Sequence, residues 1–209
     1  MTVLDAPWTK YLPPNTASIV AGWLAPYECR IVVKRPRRTK FGDFTPPRRG
    51  QTPAITINAD LSPPRFLLTL THEIAHLITW RNYGRRARPH GAQWKSAFSS
   101  LLQDLASSEA LPDELRRAFS AHARAPKSTS SRDPDLSRVL RDLDGGDETW
   151  LDDLALGSEF VFHDRRFRKL TSDRTRCVCL DLNNRQKYRI SKTAPVQPLE
   201  KASREAREI

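Results

Sequence analysis

The sequence predicts an α+β fold: a short sheet packed on helices, followed by a small C-terminal β module. Three observations carry this. The run Phe66 to Leu102 keeps a helical apolar period and is broken once, at Gly84. The stretch before it, Arg30 to Asn58, alternates as strands do, and Glu159 to Ile190 reads again as short strands. Each element offers one apolar face, so sheet and helices must cover one another.

In chain order, Thr9 to Tyr27 reads as a scaffold helix bounded by Pro13, Pro14 and Asn15, with Ile19, Val20, Trp23 and Leu24 on its apolar side. Arg30 to Lys34 is a strand. Arg35 to Phe44 then reads as a hairpin turn and return strand, and Gln51 to Asn58 as a further strand. Ile55 to Asn58 is the expected exposed edge, where an extended peptide could add a strand. Ser62-Pro63-Pro64 leads into a helix packed through Leu67, Leu68, Leu70, Ile74, Ala75, Leu77 and Ile78. After Gly84 a loop reaches Pro89, and Ala92 to Leu105 forms the next helix. Helical periodicity continues around Leu111, Leu115 and Phe119, and Ala125 to Ser131 is a loop. Asp133 to Glu148 is acidic and lacks calcium-loop spacing, so it is expected to be mainly a solvated face. Glu159 to Phe162, Arg174 to Leu182 and Gln186 to Ile190 supply the strands of the C-terminal module. The expected organisation is a core over 1–130, an acidic connection over 131–158 and a basic β module over 159–209.

The first long helix carries the chemistry. His72 and His76 are four apart, so a helix sets both imidazoles on one face about 6 Å from each other, at metal-ligand spacing. Glu73 is rotated about 100° from His72, which puts its carboxylate beside a metal and not on it. Burying these groups without a partner is costly, and a metal relieves that cost. A tetrahedral zinc site needs a third protein ligand and an open position for water. His90 follows closely enough for the loop Tyr83 to Pro89 to fold it back. The expected site is therefore one catalytic zinc on His72, His76 and His90.

The run His72-Glu73-Ile74-Ala75-His76, with Trp80, Tyr83-Gly84, Pro89-His90-Gly91 and Trp94-Lys95, resembles the SprT-like (Spartan-like) zinc metalloprotease family over Tyr27 to Leu105. Arg38-Thr39-Lys40-Phe41-Gly42 and Ile55-Thr56-Ile57-Asn58 are similar to that family's strand pair. The resemblance implies a zincin-like metalloprotease core, the same three histidines as ligands, Glu73 as catalytic base, and cleavage of proteins. Some members degrade proteins covalently trapped on DNA. Members often carry a four-cysteine ribbon after the core. Here Cys177-Val178-Cys179 supplies one pair, and Cys29 and His163 would have to complete it, so a metal-free hairpin is expected in the ribbon's place.

Composition narrows the remaining classes. At 209 residues the chain can hold one core and a small second module. No stretch approaches 18 apolar residues and the start lacks signal-peptide order, so no membrane partner is expected. Three cysteines make no disulfide framework and favour a cytoplasmic setting. The formal net charge is +11, and Leu102 to Phe160 is acidic overall, so the excess sits in Arg30 to Arg49, Arg81 to Lys95 and Arg165 to Lys192. Such blocks attract phosphate backbones or an acidic protein. The candidate DNA contacts are Arg35, Arg37, Arg38, Arg81, Arg85, Arg86, Arg88, Arg174 and Arg176. Phe160, Phe162, Phe167 and Tyr188 interleave with the last block, as in a stacking platform or a small core.

The leading expectation is a zinc endopeptidase acting on DNA-associated or DNA-crosslinked proteins. A DNA-binding module with a structural metal and a zinc protease with a non-DNA regulatory substrate are the alternatives. Arg88 and His122 are the guesses for a separate transition-state donor. The oligomeric state is not legible.

Overall fold

A computed structural model describes residues 6–37, 39–48 and 50–199. The chain divides into two compact units, one comprising 1–128 with 139–144 and the other 129–138 with 145–209.

The first unit contains α1 (Ala17–Leu24), β1 (Arg30–Lys34), β2 (Gly42–Thr45), β3 (Ala54–Asn58), α2 (Pro63–Tyr83), α3 (Ala92–Ser107) and α4 (Asp113–Arg124). The N-terminal helix is shorter than expected. Pro13 and Pro14 cannot continue a helix, so Thr9–Tyr11 makes a separate 3-10 turn whose Tyr11 ring stacks on Phe66 at 5.2 Å. The sheet order is β1-β3-β2, with β1 parallel and β2 antiparallel to β3. This corrects two expectations. The segment after β1 does not return beside it, because the alternating, apolar β3 takes the central place. Ile55 to Asn58 is therefore not an edge; Ile55 and Ile57 are wholly buried, and the edge beside the candidate site is β2.

Pro63 and Pro64 occupy the first turn of α2, where their missing amide hydrogens have no helical acceptor to serve, and Phe66 N–H bonds back to Ser62. Gly84 closes the helix at φ 57°, its N–H bonded to the Trp80 carbonyl. Phe66, Leu67, Leu70, Ile74 and Leu77 are fully buried and pack with Trp94, Phe98, Leu102 and Leu105 of α3 and with the sheet. Removing an aliphatic member of this set costs about 2–5 kcal/mol. The core thus fixes α2 between β2 and α3.

The acidic stretch folds in part. Pro134–Leu143 forms α5, with Leu136 and Leu140 fully buried, while Asp142, Asp144, Asp147 and Glu148 are exposed. Two leucines four apart among charges were enough for an amphipathic helix.

The second unit is built on a five-stranded sheet, β7-β6-β5-β4-β8, of β4 (Glu159–Phe162), β5 (Arg165–Ser172), β6 (Arg176–Asp181), β7 (Lys187–Ser191) and β8 (Gln197–Pro198). Strand β5 was not anticipated, because its alternate positions are arginine and lysine. Cys177 and Cys179 both point into a core with Leu151, Phe160, Phe167 and Ile190, and burial pushes the Cys179 thiol up to about 12. Phe160 and Phe167 belong to this core as well, leaving Phe162 and Tyr188 partly exposed.

Candidate metal centre

Three elements converge on one point. Helix α2 carries His72 and His76 one turn apart. The loop after it makes a 3-10 turn, Gly84–Arg86, and then a tight turn in which Gly91 N–H bonds to Arg88 C=O at 2.9 Å. A Cβ on Gly91 would stand 3.0 Å from that carbonyl, tighter than most such contacts, so the turn favours glycine there. His90, at φ 57°, is swung back toward α2.

The His72–His76, His76–His90 and His90–His72 Nε2 separations are 3.2, 3.1 and 3.1 Å. Three neutral imidazoles cannot satisfy one another in such a triangle, since each Nε2 is either a donor or an acceptor and at least one of the three contacts must pair like with like. Ligand nitrogens about 2.0–2.1 Å from a tetrahedral zinc stand about 3.3 Å apart, so the donor set fits that ion. Burial, and then the neighbouring imidazoles, lower His72 to about 3. Burial and His90 lower His76 to about 4, and burial lowers His90. All three are thus neutral ligands at physiological pH. Among the described residues this is the one cluster of metal donors, and no fourth side chain joins it.

Glu73 is 6% exposed and lies beside the triad, outside its donor group. Burial first, and then the Asp43 carboxylate, push it up to about 8; the Phe44 backbone N–H, Lys40 and Arg37 act in the opposite sense. Together with β2 and the His90 loop it lines a cleft of about 490 Å³ that also includes Asp43, Thr79, Trp80 and Arg88.

The reading from sequence assigned no role to Trp94. It is wholly buried, and its ring lies 4.6, 5.4 and 4.7 Å from those of His72, His76 and His90. Its position four residues after His90, on the inward face of α3, is the signal that could have found it. His122 does not enter the cleft. It is buried on α4, on the same apolar face as Phe119 and Leu115, and meets the Phe98 ring edge-on at 5.8 Å. Arg88 does line the cleft.

The candidate DNA contacts fall into different settings. Arg81, Arg85, Arg86 and Arg88 are exposed around the turn that carries His90, and no carboxylate among the described residues pairs with them. Arg35, Arg174 and Arg176 are exposed too. Arg37 is half-buried and turned inward, donating to Asn58 Oδ1 at 2.9 Å and Thr56 Oγ1 at 3.0 Å, so it anchors the loop before β2. Arg38 lies outside the described residues.

A helix bearing two histidines and a buried glutamate, a third histidine from the following loop, and a sheet edge forming the opposite cleft wall define a zincin-like core whose three histidines can hold a metal ion. Within it, residues 34–111 match the SprT-like family model. Proteins named Protein SprT from Salmonella arizonae, Salmonella newport and Salmonella heidelberg are each 52% identical over 31 residues, 15% of this chain and 18% of the relative. The chain thus spans less than a fifth of the curated relatives it matches. No solved structure matches it. Among the described residues, no helix is long and apolar enough to cross a membrane.

Proposed function

We propose that the protein is a zinc-dependent endopeptidase that cleaves DNA-associated or DNA-crosslinked proteins in a reducing, cytoplasmic setting. The observation that carries the enzymatic part is the three-nitrogen donor set open to a cleft, with a buried carboxylate beside it. Structural zinc sites are closed by four protein ligands, and catalytic ones keep a position open.

A bound zinc would supply Lewis acidity, polarising the scissile carbonyl and lowering the pKa of water toward about 7. The imidazoles of His72, His76 and His90 would hold the ion as neutral donors. The charge of a bound ion would favour the carboxylate form of Glu73 against the burial that pushes it up, and Glu73 would then take the proton of the attacking water and pass it to the departing amine nitrogen. Strand β2 offers an extended peptide its free edge. Arg88 lines the same cleft, and Arg81, Arg85 and Arg86 are exposed on the helix end and the turn that lead to it, where they would hold phosphates and bring a DNA-bound protein to the site.

Features of the second unit support the DNA reading. A pocket of about 380 Å³ is lined by Arg165, Arg176, Arg189 and His163 together with Phe162 and Tyr188; Asp181 pairs with Arg165 and Asp173 with Arg189, and among the described residues neither carboxylate lines it. Cations beside aromatic faces suit a nucleotide unit of a single strand. The three cysteines are free thiols, as a reducing compartment requires.

The test compares zinc-loaded wild type with Glu73→Gln on a DNA-crosslinked protein and on the same protein free, at low and moderate salt. Cleavage by wild type alone, faster on the crosslinked form and weakened by salt, is the expected result. Equal cleavage of both substrates keeps the peptidase and removes DNA. No difference between wild type and Glu73→Gln overturns the proteolytic assignment.

A further inference from the structure

Gly42 opens β2 and lines the cleft. A Cβ built on it would stand 2.7 Å from Thr69 Cγ2, 2.8 Å from Glu73 Oε1 and 3.0 Å from Glu73 Cγ. Real Cβ atoms do not tolerate such approaches, so the Glu73 side chain occupies space that any other residue at position 42 would fill. Two residues on, the Phe44 backbone N–H faces the same carboxylate and favours its charged form. The strand register explains why that amide is available. Asn58 N–H bonds to Phe41 C=O, so the rungs to β3 fall at Phe41, Asp43 and Thr45, and the amides of Gly42 and Phe44 point away from β3.

We infer that Gly42 is a positioning residue for Glu73: its bare Cα is the surface against which the carboxylate is set, and the Phe44 amide holds the carboxylate there. Helix α2 supplies the base, but β2 decides where its oxygens stand. A consequence for substrate follows from the same geometry. An extended peptide on the outer edge of β2 finds the Phe44 N–H already engaged, and is left with the Gly42 amide and carbonyl and the Phe44 carbonyl. The substrate edge and the cradle of the base are one strand.

This inference rests on Glu73 acting as proton acceptor, and the test separates the two. Zinc-loaded wild type, Gly42→Ala, Thr69→Ser and the double variant are compared for zinc content, melting temperature, kcat and KM on a peptide, with a crystal structure of zinc-loaded Gly42→Ala. The expected Gly42→Ala protein keeps one zinc and its melting temperature, loses about 100-fold in kcat as a displaced group does, and changes KM little, with the carboxylate moved in the crystal. Thr69→Ser removes the methyl at 2.7 Å but not the clash with Glu73, so the double variant stays impaired. Recovery of the double variant, or an unmoved carboxylate, overturns the inference. If wild type and Glu73→Gln prove equally inactive, the proteolytic assignment falls, while the carboxylate position in the crystal still decides the role of Gly42. Should Gly42→Ala fail to fold, Phe44→Pro carries the test. It deletes the amide given to Glu73 and no rung to β3, and unchanged kcat in that variant overturns the inference.

Discussion

Trp94 Nε1 donates to the backbone carbonyl of His72 at 3.4 Å while its ring lies 4.6 Å from the His72 imidazole. One side chain of α3 therefore braces both the backbone and the ring of a metal ligand on α2. Trp94→Phe, which keeps an aromatic but loses the donor, is expected to weaken zinc affinity by about 10-fold. Trp94→Ala should in addition lower stability by about 3–5 kcal/mol through the cavity it leaves. Competition with a chromophoric chelator and thermal unfolding measure the two effects; equal zinc affinity in Trp94→Phe would refute the bracing role.

The zinc-free protein should be most stable near pH 6.5. His72 and His76 titrate near 3 and 4 when folded against 6.5 unfolded. The folded state therefore binds fewer protons, and these groups make stability rise with pH through that window. Glu73 titrates near 8 when folded against 4.5 unfolded, so the folded state binds more protons and this group makes stability fall as pH rises between those values. Below 6.5 the two histidines outweigh the single carboxyl; above it the carboxyl acts alone. Melting temperatures of chelator-treated protein across this range check the shape, and Glu73→Gln should lose the falling limb.

Lys169 is 3% exposed, and its ammonium donates to the carbonyls of Leu151, Asp152 and Leu154 at 2.9, 3.3 and 2.6 Å. It ties the turn Leu151–Asp153 to β5. Lys169→Met keeps the aliphatic stem but orphans these acceptors, so a loss of about 2–4 kcal/mol is expected. Denaturant unfolding followed by a probe in the second unit reads it; a change under about 0.5 kcal/mol would show that water replaces the ammonium at no cost.

Replacing Arg81, Arg85 and Arg86 together by glutamine should weaken DNA binding and flatten its salt dependence. If each holds one phosphate, the slope of log K against log salt becomes shallower by about 3. An unchanged slope would move the DNA contacts elsewhere on the chain.

Much of the site was legible because helical spacing is a local property. His72, Glu73 and His76 take their relative directions from 3.6 residues per turn, and Gly84 marks the stop that frees the chain to bring His90 back. Strand order was not legible. Ile55 and Ile57 read equally well as an edge or a centre until β1 and β2 were seen to flank them. The arginines also read alike in sequence, although Arg37 is bonded inward to Asn58 and Thr56 while Arg81 and Arg85 face solvent.

By itself, then, the sequence determined a metal-binding helix, its three histidine donors and the carboxylate beside them, because those depend on periodicity and on one short loop. Tertiary structure alone decided that β2 is the cleft wall, that Gly42 makes room for Glu73 and that Trp94 underlies all three ligands. Those relations join segments about 20–30 residues apart, and which of them touch is set by packing against a shared core, a property that no local pattern encodes.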